Sequence, residues 1–395
     1  MRVVFAHDVY LEKSPDGLYF NETFNYRLWQ RYLKVFDHVT VVTRKRDQNA
    51  AGTYDERKLS SGPNVDFAPV PSLSSPTSRF TQRSKVKQEL ERQLKDADAL
   101  IARLPSEIGA MAIQIAKTMG KPYAVEVVGH PWDALWNYGS WQGKLYAPIN
   151  TIYTKYLVKN APYALYVTTR FLQDHFPSKG KTVGCSDVFI PNVDEGVLAT
   201  RNAKIDDFDQ QPFRIGLIGS LVNYKGIDTA IQAVAEVKKY IPNVELRVLG
   251  VGNPQPWIEI AKSFDVAENV VFSKPLPSGP AVYEWLDDLN IYIQPSRQEG
   301  LPRALVEAMS RGLPAIGSTI GGIPELLPAN CLIRPGDNKQ LATLIRKMYE
   351  DKEWQRRASE QSLNKAKEYT SEQLETRRTT FWRDFEGFVK LGVNV

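Results

Sequence analysis

The sequence predicts an α/β protein made of two doubly wound, parallel-sheet domains. Three observations carry that expectation. The chain has 395 residues, too many for one compact core and suited to two domains. Near the N-terminus the pattern runs strand, polar loop, helix, strand. The same unit recurs at 290–317, in the other half of the chain, and this is the building block of a parallel sheet.

Composition narrows the function classes. The 43% hydrophobic and 24% charged content is that of an ordinary globular protein. A net charge of +5 is too mild to imply nucleic acid, and no DNA- or RNA-binding signature is present, but it suits an anionic substrate or a lipid surface. Cys185 and Cys331 are far apart without metal spacing and read as buried thiols in a reducing compartment. The opening MRVVFAHDVYLEK has too short an apolar run for a signal peptide, and nothing approaches the ~18 apolar residues of a spanning helix. The expected location is the cytoplasm, with any membrane contact peripheral, at the inner face.

Taken in order, residues 3–6 form the first strand, followed by a polar loop to Asp16 and then Gly17. A helix over 21–35 shows Phe24, Leu28, Tyr32 and Val35 on one side, and 39–43 is the second strand. Residues 47–78 are polar with one strand-like piece, 65–70, and 79–96 form a charged, mainly solvated helix. Strand 99–103, helix 106–119 and strand 123–128 follow. The last ends in Gly129-His130-Pro131-Trp132-Asp133, which puts a histidine at a strand's carboxyl end, where open α/β sheets bind ligands. Trp132, Trp136, Tyr138 and Trp141 crowd the next segment and suit either a sugar face or the core. Helix 144–160, strand 164–168, helix 170–176 and strand 188–191 complete a first domain, 1–195.

A polar linker, 200–212, leads into the second domain, 196–370. Strand 213–218 runs into Gly219-Ser220-Leu221, then Lys225-Gly226 and helix 227–239. A lysine in a glycine-flanked βα loop is a natural phosphate ligand. Strands 244–250 and 270–272 follow, the second ending near Leu276. Asp287-Asp288 reads as solvated helix surface and not as a metal site. The most informative stretch is PSRQEGLPRALVEAMSRGLPAIGSTIGGIPE, 295–325. Strand 290–294 precedes it, Pro302 suits a helix's first turn, and Gly312 caps the end of helix 303–311. The helix N-terminus, with Gly300, Leu301 and Pro302 leading into it, offers unpaired N–H groups and a partial positive charge that suit a phosphate. Glu299 precedes the helix and Glu307 lies on its second turn, about 7–8 Å along the axis from Pro302. Carboxylates are acceptors and sugar hydroxyls donate, so the two suit sugar hydroxyls on either side of a pyrophosphate. Helices 339–350 and 352–367 follow, and 371–395 carries the stripe Phe381, Trp382, Phe385 and Phe388.

The run EGLPRALVEAM followed by GGIPE resembles the E-x7-E signature of the retaining glycosyltransferases of family 4. The resemblance implies a GT-B fold: two Rossmann-like domains facing across a cleft, with the C-terminal helix packing back on the first. It implies a transferase of hexosyltransferase type that moves a sugar from a nucleoside-diphosphate sugar, UDP favoured over GDP, to an acceptor hydroxyl. The acceptor would be a glycan or lipid-linked glycan in surface polysaccharide biosynthesis. No metal is expected. Catalytic roles fall on His130, Glu299 and Lys225, and donor contacts on Gly17, Ser220, Lys225, Leu276, Glu299, Gly300, Leu301, Pro302, Arg303 and Glu307. Ser220 stands where the family commonly has arginine, leaving Arg303 or Arg297 to supply the charge. The other readings are a catalytically silent nucleotide-sugar-binding subunit and a nucleotide-sugar epimerase.

Overall fold

The computed structural model describes residues 1–45, 55–73, 75–132, 141–194, 196–207 and 212–392. It divides into two compact units, Met1–Cys185 with Glu375–Val395, and Ser186–Leu374. Residues 186–195, expected in the first domain, thus cluster with the second.

The first unit holds β1 (Arg2–Lys13), β2 (Tyr19–Phe20), β3 (His38–Lys45), β4 (Val65–Val70), β5 (Ala99–Leu104), β6 (Tyr123–Val127), β7 (Tyr163–Tyr166) and β8 (Lys181–Gly184). Their order is β4-β3-β1-β5-β6-β7-β8, all parallel, with β2 antiparallel to β1. β5 and β6 are buried along their whole length, as strands of a sheet covered on both faces must be. The two charges among them answer each other: Arg103 and Glu126 are register partners and pair at 2.8 Å, and the Tyr32 hydroxyl donates to Glu126 at 2.6 Å. The aromatic stripe of the last helix, Ser371–Lys390, finds its partners here. Trp382 lies 5.7 Å from Tyr32 and 6.2 Å from Phe36, ring centre to ring centre, and Phe381 lies 5.6 Å from Tyr163.

The second unit holds β9 (Phe213–Ile218), β10 (Val244–Leu249), β11 (Val270–Ser273), β12 (Ile291–Gln294), β13 (Ala315–Ser318) and β14 (Leu332–Ile333). They pair in parallel in the order β11-β10-β9-β12-β13-β14.

Three expectations need correction. Residues 188–191 form no strand; the seventh strand of the first sheet's path is β8, whose Lys-Thr-Val-Gly has too little apolar signal to be read. Most of the expected linker is a helix, Gly196–Asp206, anchored by buried Arg201, which donates to the carbonyls of Leu289 and Arg311. Asp287 and Asp288 are not simply solvated. Asp287 takes a two-pronged bond from Arg311, and Asp288 pairs with Arg214 at 2.7 Å and with Arg247. In the last two cases the partners come from distant parts of the chain, which the linear sequence does not reveal.

Candidate active site

The second sheet reverses its order between β9 and β12. Ligands of open α/β sheets bind outside the carboxyl ends of strands at such a switch point. From β9 the chain passes Gly219, makes a tight turn at Asn223–Lys225, and enters helix Ile227–Val237 through Gly226 at φ 73°. A Cβ on Gly226 would lie 2.1 Å from the Pro295 carbonyl oxygen, so only glycine lets this loop close on the one after β12. A Cβ on Gly219 would lie 3.3 Å from Lys225 Cδ, because the lysine stem crosses that glycine.

The two loops meet chemically at one carboxylate oxygen. Glu299 Oε1 accepts from three donors: Lys225 Nζ at 2.7 Å, Ser296 Oγ at 2.8 Å and Gln294 Nε2 at 3.0 Å. Gln294 is held in turn by the Tyr292 hydroxyl at 2.9 Å, which accepts from the Ile218 amide. The Glu299 and Lys225 side chains are 9% and 17% exposed, so the ion pair is largely shielded from water. An ammonium has three donors, and Glu299 uses one.

Arg297 belongs to the scaffold. It forks onto Asp228 at 2.8 and 2.6 Å and donates to the Asn223 carbonyl, stapling one loop to the other. It is therefore not the spare cation for a phosphate. Arg303 is exposed and enters none of the described ion pairs. On the far side, Gly321 at φ 59° turns against Glu299, and the Gly322 amide donates to the Gly300 carbonyl at 2.6 Å.

Helix Arg303–Ser310 begins after buried Pro302, and no side chain caps it. Its first-turn amides are thus left for another acceptor. Glu307 sits on this helix. Burial raises its carboxyl above the ordinary value, and Arg303 one turn away pulls it partly back. Tyr292 feels both carboxylates: burial first, then Glu299 and Glu307, push its hydroxyl up. A folded chain that holds the Glu307 proton more tightly than the unfolded chain loses stability as pH rises through the interval above 4.5. Glu307→Gln is therefore expected to raise the melting midpoint at pH 7, with the gain fading towards pH 4. A midpoint unchanged at pH 7 would contradict the buried charge.

The structure thus brings Lys225, Glu299 and Gly300 together, with Leu301, Pro302, Arg303 and Glu307 following in the same segment. Ser220 is exposed, its carbonyl accepting from the Val222 amide. Leu276 is 38% exposed beyond β11. Sequence reasoning missed Gln294, Ser296 and Tyr292; the signal was a glutamine closing an otherwise apolar strand.

His130 and Gly17 belong to the first unit. His130 follows β6, half-buried, its ring 5.1 Å from His175 and 5.0 Å from Phe176. Burial, then His175, lowers its pKa to about 4, and Nδ1 is buried without a hydrogen-bond partner. Gly17 lies instead in the β1–β2 hairpin, at φ 86° and bonded to the Ser14 carbonyl. β1 extends to Lys13, which carries Gly17 on the order of 20 Å of extended chain past Ala6, where β1 stops pairing with β5. It serves the turn. Asp133, Trp136 and Tyr138 lie outside the described residues.

At the first sheet's own switch point, His7 donates to the Arg103 carbonyl, and burial followed by Arg103 lowers its pKa to about 3. Both histidines bind protons below pH 6.5 only when the chain unfolds, so stability is full above 6.5 and falls as pH drops towards 3–4. The midpoint at pH 5 should lie below that at pH 7, and His7→Asn with His130→Asn should flatten the difference. An unchanged slope in the double variant would refute this.

Two doubly wound units, the second with a lysine and two carboxylates at its switch point, define a GT-B sugar transferase. The comparisons agree. The family model "Glycosyl transferases group 1" matches residues 199–365. Protein CapJ of Staphylococcus aureus is 34% identical over 355 residues, 90% of this chain and 88% of that one. The amylovoran biosynthesis glycosyltransferase AmsK of Erwinia amylovora is 31% identical over 153 residues, 36% and 38% of the two chains. Among solved structures, Anabaena Alr3699/HepE in complex with UDP-glucose aligns at TM-score 0.62 and 14% identity, over 99% of this chain and 100% of that one. The chain belongs to the group 1 glycosyltransferases and transfers a glycosyl group. Among the described residues, no helix is long and apolar enough to cross a membrane, and no group of three or more His, Cys, Asp or Glu could hold a metal ion.

Proposed function

We propose that the protein is a retaining glycosyltransferase of family 4 type, using a nucleoside-diphosphate sugar, a UDP-sugar in preference to a GDP-sugar. The acceptor is a glycan or lipid-linked glycan hydroxyl in surface polysaccharide assembly, met at the membrane's inner face. The observation that carries this reading is the shielded Lys225–Glu299 pair beside an uncapped helix start. Support also comes from AmsK, a polysaccharide-biosynthesis glycosyltransferase by name, and from the UDP-glucose bound to Alr3699/HepE.

The two remaining Lys225 donors, the first-turn amides of helix Arg303–Ser310 and the Arg303 guanidinium hold the diphosphate. They stabilise the charge that grows on it as the sugar departs. Glu299 and His130 hold sugar hydroxyls, and Glu307 holds the ribose. The bond from the anomeric carbon to the phosphate oxygen breaks as the acceptor oxygen bonds on the same face, and the acceptor proton passes to a phosphate oxygen. His130, neutral above about pH 4, is a hydrogen-bonding group here and not an acid.

A thermal-shift panel of UDP-, GDP- and ADP-sugars tests the donor, with UDP-sugars expected to stabilise most. Product NMR tests stereochemistry, and an inverted anomeric centre would reject retention. Glu307→Ala should raise the donor KM by roughly tenfold or more with kcat little changed; unaltered donor affinity would remove Glu307 from the ribose.

A further inference from the structure

One surface of the first unit is not accounted for by sugar transfer. Helix Trp141–Lys159 buries one face, where Ala147, Leu157 and Val158 are 2% exposed or less. Its other face exposes Trp141, Leu145, Ile149, Ile152 and Tyr156, each between 59% and 70%. The steps of four, four, three and four residues place all five within an arc of about 80° at 3.6 residues per turn. That is a continuous apolar stripe, on the order of 25 Å long, turned to solvent. Scattered apolar residues need no explanation, but a stripe of this length marks an interaction site.

The charges beside it say what covers it. The helix contains no aspartate or glutamate. Among the described residues, its other exposed ones are Lys144, Lys155 and Lys159, which follow one edge of the stripe. Lys117 adds a cation 5.9 Å from the Tyr156 ring. A second copy seated symmetrically on this face would bring lysines against lysines. An anionic, partly apolar occupant suits it on both counts.

We propose that this helix lies in the surface of an anionic lipid bilayer, the stripe sunk to the acyl boundary and the lysines reaching the headgroups. Trp141 and Tyr156, near the two ends, have the amphipathic rings that settle at that boundary. The proposal rests on the lipid-facing acceptor reading above, and gives it a specific surface.

The test uses the full chain and vesicles, without turnover, so its failure leaves sugar transfer standing. Co-sedimentation with phosphatidylcholine vesicles containing about 30% phosphatidylglycerol should be roughly tenfold or more stronger than with phosphatidylcholine alone, and should weaken with salt. Ile149→Asp with Ile152→Asp should lower binding by roughly tenfold or more, with an unchanged melting midpoint. Lys144→Ser, Lys155→Ser and Lys159→Ser together should remove the preference for phosphatidylglycerol. Failure of the native chain to bind, or native-level binding by the aspartate variant, would overturn the proposal. So would a native dimer that the aspartate variant dissolves, which would assign the stripe to a second copy.

Discussion

Lys225→Ala is expected to lower kcat/KM by roughly 10²- to 10³-fold. In the proposed reaction the departing diphosphate gains negative charge in the transition state, and Lys225 is the cation that the βα loop after β9 holds over Gly219. Its 2.7 Å bond to Glu299 fixes the ammonium before any donor arrives, so little reorganisation remains for the reaction itself. The same change strips a shielded carboxylate of its counter-charge, which costs stability on the order of a few kcal/mol. These two losses separate in Lys225→Ala with Glu299→Gln, which should recover stability without recovering rate. Near-normal turnover by Lys225→Ala would remove the lysine from the phosphate.

Glu299→Gln is the second large effect, with kcat falling by roughly 10²-fold or more and the melting midpoint moving less than in Lys225→Ala. Oε1 accepts from Lys225, Ser296 and Gln294 together. An amide in its place either presents its own N–H groups to these donors or keeps only a neutral oxygen. Lys225 then loses its anchor, and in the proposed reaction the sugar hydroxyl loses an ionic acceptor. Because the two residues act as one unit, the double variant should be little slower than the worse single one. Additive losses would mean that they act separately.

Much of the fold was legible because parallel strands buried on both faces read as apolar runs: β5, β9 and β12 all appear at their sequence positions. β8 was not, since a polar edge strand has no such signal. Nor was helix Gly196–Asp206, whose stability comes from Arg201 reaching carbonyls some 90 to 110 residues away. In the site, Glu299, Glu307 and Lys225 could be read from glycines, proline and spacing around a helix start. The direct Lys225–Glu299 bond could not, because 74 residues separate its ends. Arg297 reads as a loose cation until Asp228 is seen to hold it. Gly17 reads as a loop glycine beside the first strand only because β1 runs on to Lys13 through polar residues.

The most direct measurement is a crystal structure of the protein with UDP. The diphosphate should lie within hydrogen-bond distance of Lys225 Nζ and the first-turn amides of helix Arg303–Ser310, with the ribose hydroxyls on Glu307. A nucleotide seated elsewhere, with Lys225 still bonded to Glu299 and touching no phosphate, would contradict the account.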